Sequence, residues 1–213
     1  ERTKLLYVCS PNNPTGTYLS KSDFETLLEA VPERVLVVFD GAYSHYATAE
    51  DYTDGIEYVK QGKNVLVIQT FSKNYGLAGL RVGYGIANEE IINSILKVRE
   101  PFNVNSIAQA AAIAAIEDAD HVNASIETNL TGIKELYEAF SELGLNYVET
   151  QSNFILLQLG PDAENLYNEL FQISQEFSHD DFLDLKDEYE KRQKEKHRKY
   201  SYALELRKDA AER

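Results

Sequence analysis

The sequence predicts an α/β fold built on a mostly parallel sheet, and three observations support this prediction. Short apolar runs alternate with longer stretches in which apolar residues recur at helical spacing. Hydrophobic residues make up 43% of the 213 residues, and there are only 11 glycines and 5 prolines, so the chain can bury a core. Such alternation is typical of βαβ units, in which helices cover the faces of a parallel sheet.

The apolar runs give the predicted strands, which are residues 5–9, 35–39, 65–68 and 82–86. Between the first two runs, Ser22 and Glu25 match a capping box that predicts a helix start. Apolar side chains then follow at helical spacing, namely Phe24, Leu27, Leu28 and Val31. Residues 51–61 are predicted to form the helix that crosses to the third strand.

Three further helices are predicted over residues 89–100, 106–118 and 121–143, the second of them rich in alanine. Strands within residues 147–159 and a helix over 163–171 would begin a small second domain. The predicted domains are therefore 1–120, 121–143 as a long interdomain helix, 144–171, and a tail of 172–213. About half of the tail's side chains are charged, against 26% for the whole chain, which is typical of a solvated helix or a disordered segment.

Composition excludes several classes of function. The net charge of −14 argues against a nucleic-acid surface, which needs clustered Lys and Arg. Cys9 is the only cysteine, so no intrachain disulfide can form, and we expect an inert core thiol. No apolar stretch approaches the length of a membrane span, so we expect a cytoplasmic protein. The four histidines lack metal-ligand spacing, so no metal site is predicted.

Three segments carry the residues suited to chemistry. Lys73 lies in the sequence TFSKNYGLAGLRVGYG, after an apolar run and eight residues before Arg81. A lysine among hydroxyl groups with a following arginine suits the capture of a phosphorylated aldehyde, so the candidate cofactor is pyridoxal phosphate. The other two segments are SPNNPTG, which contains Asn13, and the sequence DGAY that begins at Asp40.

In this order and spacing the three segments resemble the fold-type-I pyridoxal-phosphate aminotransferases. SPNNPTGTY, TAEDY, TFSK-YGLAGLRVGYG and PFNVN are similar in particular to the histidinol-phosphate aminotransferases, and the resemblance runs from about residue 4 to about 171. It implies the large cofactor-binding domain of that fold, incomplete here, followed by the start of a small α/β domain. It also implies a homodimer that transfers an amino group between histidinol phosphate and 2-oxoglutarate.

The resemblance assigns catalytic roles to three residues. Lys73 would form the Schiff base and then move the proton between the substrate and the cofactor. Asp40 would keep the pyridine nitrogen protonated. Tyr43, with Asn13, would donate hydrogen bonds to the phenolic oxygen of the cofactor. Where Gly41 stands, the family usually has an acidic residue, so a second supporting contact is in question.

The remaining predicted contacts hold the phosphate and the substrate. Arg81, Thr70 and Ser72 would bind the cofactor phosphate through charge-assisted and hydroxyl hydrogen bonds. Asn13 would also contact the substrate, as would Asn153, which precedes the predicted strand 154–157. The aromatic residues Tyr43, Tyr46, Phe102 and Tyr147 are expected to be core side chains more often than ligand contacts.

Two alternatives stay open at this point. Another fold-type-I enzyme, such as an aromatic aminotransferase or threonine-phosphate decarboxylase, would share the same cofactor residues. The chain could also be an inactive fragment or fusion product, because the family normally has a glycine-rich phosphate-binding turn upstream and a carboxylate-binding arginine downstream. On that basis we expect the isolated 213-residue chain to turn over substrate poorly.

Overall fold

A four-stranded sheet forms the centre of the fold. The computed structural model describes the backbone of residues 2–176 and the side chains of residues 2–172. The strands lie in the order β1 (Leu5–Cys9), β2 (Leu36–Asp40), β3 (Val65–Thr70) and β4 (Gly83–Ile86). β1 and β3 both run parallel to β2, whereas β4 is antiparallel to β3. The predicted α/β class with a mostly parallel sheet is therefore confirmed.

Six helices accompany the strands in the described part of the chain. They are α1 (Lys21–Ala30), α2 (Ile56–Lys60), α3 (Glu89–Leu96), α4 (Ser106–Glu117), α5 (Ala119–Glu142) and α6 (Ala163–Glu176). α3 ends four residues before the predicted end at Glu100. Pro101 follows Glu100 and disfavours the helical conformation there, so the pattern overestimated the length of this helix.

The start of α1 was also predicted wrongly. The N-cap is Ser20, whose hydroxyl oxygen accepts a hydrogen bond from the Asp23 backbone N–H at 3.1 Å. Ser22 lies inside the helix instead, and its backbone carbonyl accepts a hydrogen bond from the Thr26 hydroxyl at 2.9 Å. The capping residue therefore lies two positions upstream of the sequence match, because Ser20 has the extended backbone that a cap requires.

The helix predicted over residues 51–61 is shorter in the structure, where α2 has only five residues. Gly55 precedes it with a φ of +80°, in the left-handed region that favours glycine. The Thr53 hydroxyl oxygen accepts from the Gly55 N–H at 3.1 Å, and an Asp54 carboxylate oxygen accepts from the Ile56 N–H at 3.0 Å. These side-chain bonds form a turn that delays the start of the helix.

The main core lies between the sheet, α1 and α2. Phe39 and Phe24 are fully buried and pack edge to face, with ring centroids 5.0 Å apart. Tyr58 of α2 packs edge to face on Phe24 at 5.1 Å. A second core cluster contains Phe71 and Val82 together with Ala108 and Ala112 of α4. The small alanine side chains let α4 approach its neighbours closely, as its composition indicated.

The chain divides into two compact units. The first consists of Glu1–Glu135 and Val148–Leu156, and it contains the four-stranded sheet. The second takes Leu136–Tyr147 and the described residues from Leu157 onward. In the second unit Tyr147 stacks on Tyr137, with ring centroids 4.6 Å apart. β5 (Asn146–Val148) and β6 (Leu156–Gln158) form a separate two-stranded sheet. The four-part domain division remains a prediction, and most of its tail lies outside the described residues.

Phe102 lies on the surface of the protein. Phe102 is 99% exposed with a φ of +59°, so the expectation of a core position was wrong for this residue. It follows Pro101 in a tight turn between α3 and α4, which points its ring away from the protein.

Across the described residues, no helix combines the length and the apolar character needed to cross a membrane.

Candidate active site

The candidate site lies at one edge of the sheet. In the register of the parallel strands, Asp40 is opposite both Cys9 and Ile68. The Ser10 N–H donates to the Asp40 carbonyl at 3.1 Å, and the Gly41 N–H donates to the Ile68 carbonyl at 2.9 Å. The loops that leave β1, β2 and β3 therefore begin at the same carboxyl edge, which is where ligands gather in open α/β sheets.

Three of the predicted residues meet at Tyr43. The Asn13 side-chain amide donates to the Tyr43 hydroxyl at 2.9 Å. The Lys73 Nζ lies 5.2 Å from the centroid of the Tyr43 ring, within the range of a cation–π contact. Tyr43 is 5% exposed, whereas Asn13 and Lys73 are both exposed. A buried phenol thus lies beneath an accessible amine, with one residue from each of the three loops.

Asp40 ends β2 and is half-buried. One of its carboxylate oxygens accepts a hydrogen bond from the Ala42 N–H at 3.1 Å, which fixes the side chain at the edge of the sheet. At Gly41 a Cβ atom would lie 2.5 Å from the Ser44 hydroxyl oxygen. An acidic side chain at position 41 would therefore require the Ser44 hydroxyl to move.

Thr70, Ser72 and Arg81 approach one another through the backbone. Thr70 pairs with Gly83, and the Phe71 N–H donates to the Val82 carbonyl at 3.2 Å, so the turn that carries Arg81 lies beside the end of β3. The Thr70 hydroxyl oxygen accepts from the Ser72 N–H at 3.0 Å. Among the described residues, no hydrogen bond joins Arg81 to either hydroxyl side chain.

Arg81 has an unusual backbone. Its φ is +54° and its ψ is +52°, in the left-handed region that side chains other than glycine rarely adopt. The exposed guanidinium donates to the Ala78 carbonyl at 2.8 Å. Such a conformation costs about 1–3 kcal/mol and is found most often at functional sites. The turn therefore keeps an arginine where glycine would be easier to accommodate.

Burial shifts the pKa of several groups near the site. It raises the pKa of the Cys9 thiol, whose Sγ donates to the Pro11 carbonyl at 3.4 Å. It lowers the pKa of His45, whose ring nitrogen Nε2 lies 3.2 Å from the Tyr75 hydroxyl. It also raises the pKa of Tyr84 to about 12. All three shifts favour the neutral form of these side chains.

Sequence reasoning missed Phe154 and Asn74. Phe154 packs edge to face on Tyr43, with ring centroids 5.2 Å apart, but its sequence context indicated only a strand. Asn74 follows Lys73 directly and is 2% exposed, and neither polar atom of its side chain has a hydrogen-bond partner among the described residues. No local pattern signals either position. Asn153 is exposed, and its contact with substrate stays a prediction.

Metal ligands do not converge in this part of the structure. Over the described residues, no group of three or more His, Cys, Asp or Glu side chains is placed to hold a metal ion.

Comparison with known proteins shows the family to which this chain belongs. The sequence profile of the family described as aminotransferase class I and II matches residues 1–184. The chain belongs to this family. The match extends beyond residue 171, where the resemblance noted in the sequence ends. The predicted family and the fold-type-I architecture are both confirmed.

Individual relatives are similar over most of this chain. The histidinol-phosphate aminotransferase of Moorella thermoacetica is 51% identical over 172 residues, which are 80% of this chain and 45% of the relative. The Bacillus licheniformis enzyme of the same name is 48% identical, over 81% of this chain and 48% of the relative. The chain spans about half the length of these relatives.

A solved structure supports the same grouping. The histidinol-phosphate aminotransferase from Sinorhizobium meliloti in complex with pyridoxal 5′-phosphate is 32% identical, with a TM-score of 0.69. The similarity covers 75% of this chain and 43% of that one. The four strands and their connecting helices are thus those of an aminotransferase.

Proposed function

We propose that this chain is the lysine-bearing part of a pyridoxal-phosphate-dependent aminotransferase that acts on histidinol phosphate and 2-oxoglutarate. The observation that carries the proposal is the position of the Lys73 amine, which is exposed and lies 5.2 Å above the ring of the buried Tyr43. Identities of 51% and 48% to proteins named histidinol-phosphate aminotransferase support the choice of substrate.

The residues present fit this cofactor. When bound, pyridoxal phosphate supplies an aldehyde that captures amines and a pyridinium ring that accepts electrons. Lys73 offers the amine for covalent attachment, and Asp40 offers a carboxylate for the protonated ring nitrogen. Asn13 holds the Tyr43 hydroxyl through a 2.9 Å hydrogen bond. That bond uses the amide as a donor, so the phenol can donate its own proton to an oxygen of the cofactor.

The phosphate site would lie at the end of β3. The Thr70 and Ser72 hydroxyls and the Arg81 guanidinium are the groups that suit a phosphate dianion. The strained backbone of Arg81, at φ +54°, supports a functional reason for keeping this side chain. The freed Lys73 amine would then serve as the base and acid that moves the substrate proton, since it is exposed and lies 5.2 Å from the centroid of the Tyr43 ring.

Partner and location follow from the same proposal. The active protein would be a cytoplasmic homodimer that binds small substrates, with neither a nucleic acid nor a membrane as partner. The net charge of −14 supports the exclusion of nucleic acid.

Covalent labelling tests the assignment of Lys73. The 213-residue chain is mixed with pyridoxal phosphate, reduced with borohydride and mapped by peptide mass. We expect the label on Lys73, its loss in Lys73→Ala, and its retention in Lys63→Ala, which removes a lysine from the loop before β3. A label on a different lysine of the unmodified chain would contradict the proposal. Loss of the visible absorption on adding histidinol phosphate, but not on adding aspartate, would support histidinol phosphate as the substrate.

A further inference from the structure

A segment far along the chain is fixed against the loop that carries Asn13. Gly16 has a φ of +73°, and a Cβ atom there would overlap the Thr150 hydroxyl oxygen and lie 2.6 Å from the Thr150 Cβ. The Gln151 N–H donates to the Gly16 carbonyl at 2.8 Å. The close approach favours glycine at position 16, because the backbone there is in the left-handed region and any side chain would overlap the side chain of Thr150.

Gln151 also holds the loop that follows Tyr43. Its side-chain Oε1 accepts hydrogen bonds from the Thr48 N–H at 2.7 Å and the Ala49 N–H at 3.0 Å. A single residue therefore contacts both loops of the site, through its backbone on one side and its carboxamide on the other. These contacts lie within the first compact unit.

The same segment ends on Tyr43. Ser152 is fully buried, and its carbonyl accepts from the Asn129 side-chain amide at 3.1 Å. Phe154 then packs edge to face on the Tyr43 ring at 5.2 Å. Asn13 thus holds the Tyr43 hydroxyl from a loop that Gln151 contacts, and Phe154 packs on the Tyr43 ring from the segment to which Gln151 itself belongs.

We propose that Gln151 is a positioning residue of the active site, which joins the Asn13 and Tyr43 loops and so sets the direction of the Tyr43 hydroxyl. This inference rests on the proposed function. Thr48 is exposed and Ala49 is half-buried, so water can replace the lost acceptor at both N–H groups when Gln151 is truncated. The chain should therefore still fold, with less than the cost of a buried unsatisfied group.

The test uses the pH midpoint of the visible absorption band of the chain loaded with pyridoxal phosphate. A donated hydrogen bond from Tyr43 stabilises the charged phenolic oxygen and lowers this midpoint. We expect Gln151→Ala and Tyr43→Phe to raise the midpoint, each by about 1 pH unit. Gln151→Glu keeps an acceptor for Thr48 and Ala49, so its midpoint should match the unmodified chain.

A second readout needs no cofactor. In the unloaded chain, Gln151→Ala should increase amide hydrogen exchange in the peptides that contain Asn13 and Tyr43, because both loops lose their common contact. Asn88→Ala is the matched control. It removes the N-cap of α3, whose side chain accepts from the Ile91 N–H at 3.0 Å, so it lowers stability without touching the site. Its absorption midpoint and its exchange in the two loops should not change.

Two results would overturn the proposal, and they differ from each other. If the unmodified chain carries no label on Lys73, the proposed function fails and the role of Gln151 fails with it. If Lys73 is labelled and Tyr43→Phe shifts the midpoint, but Gln151→Ala leaves both the midpoint and the exchange unchanged, only the positioning role is wrong.

Discussion

Tyr43 contacts one residue at its hydroxyl and two at its ring. Asn13 donates to the hydroxyl at 2.9 Å, the Lys73 Nζ lies 5.2 Å from the ring centroid, and the rings of Phe154 and Tyr43 pack edge to face. The phenol is nearly buried while the amine is open to solvent. At this scale the site consists of a fixed hydroxyl group and an accessible amine. Two other residues of the site region, Arg81 and Asn74, carry an energetic cost that can be measured.

Two substitutions of Arg81 distinguish its effect on the free energy of unfolding from its effect on cofactor retention. Glycine accepts a φ of +54° freely, whereas alanine does not, so Arg81→Gly should unfold with a free energy about 1 kcal/mol higher than Arg81→Ala. Both variants should retain pyridoxal phosphate poorly, because each lacks the guanidinium. Urea unfolding and dialysis of the loaded chain measure the two quantities. Equal stability of the two variants would show that the turn relaxes around alanine.

Asn74 should be replaceable by an apolar side chain of similar size. Both polar atoms of its amide are buried and have no partner among the described residues. Because an unsatisfied buried group costs about 1–3 kcal/mol, Asn74→Leu should raise the free energy of unfolding by an amount of that order. Asn64→Leu is the control, since the Asn64 amide donates to the Glu33 and Val35 carbonyls at 3.0 Å each. That variant should be destabilised, and a loss in Asn74→Leu as well would indicate a hidden partner for its amide.

At the scale of elements, the loops matter more than the strands for placing the site. The register of β1, β2 and β3 brings three carboxyl ends together, and each following loop supplies one group. The turn before α2 shortens that helix and lets Gly55 approach the sheet. A Cβ atom on Gly55 would lie 3.1 Å from both the Phe39 ring and a Val67 methyl group. The start of α2 is therefore fixed by packing against the core.

Alanine substitutions at the two glycines beside α2 distinguish the cost of backbone strain from the cost of overpacking. Gly55 has a φ of +80° and Gly62 a φ of +76°, but nothing lies within 4 Å of a Cβ on Gly62. Alanine should thus cost about 1 kcal/mol at either position through the backbone alone. Gly55→Ala should cost about 1–3 kcal/mol more, because its methyl group overpacks against Phe39 and Val67. Chemical denaturation of the two variants measures the difference, and equal losses would mean that the core accommodates the added methyl.

At the scale of the whole molecule, the chain combines a high net charge with exposed apolar side chains among its described residues. The net charge is −14, while Val98, Phe102 and Ile107 are 82%, 99% and 73% exposed. On α4, Ile113 and Ile116 are also exposed, at 64% and 60%. Like charges oppose association at low salt, whereas apolar surface favours it when salt screens the charge. Self-association should therefore increase with ionic strength.

Substitution on α4 tests this balance. Ile113→Glu removes an exposed apolar side chain and should reduce the association seen by sedimentation velocity at high salt. Ala114→Glu adds the same charge at the next exposed position while removing only a methyl group. We expect a clearly smaller effect from this control. Equal effects would show that charge, rather than apolar surface, governs association.

The strands, the loops that follow them and the site residues Asn13, Tyr43 and Lys73 could be predicted from the amino-acid sequence. This was possible because strand runs and turn residues are local patterns, and because loops after parallel strands share one edge. Asn13, Tyr43 and Lys73 could be selected from their motifs before any distance was known.

Features that depend on contacts distant in sequence could be seen only in the folded structure. Gln151 bonds to Ala49 across 102 residues, and Asn74 is buried by neighbours that its own sequence does not specify. The late start of α2 depends on how closely Gly55 packs against β2 and β3. Such contacts depend on side-chain volume and on which loops meet in space. Local periodicity carries no information about side-chain packing or about which loops meet. The contacts that position the site residues could therefore be identified only in the folded chain.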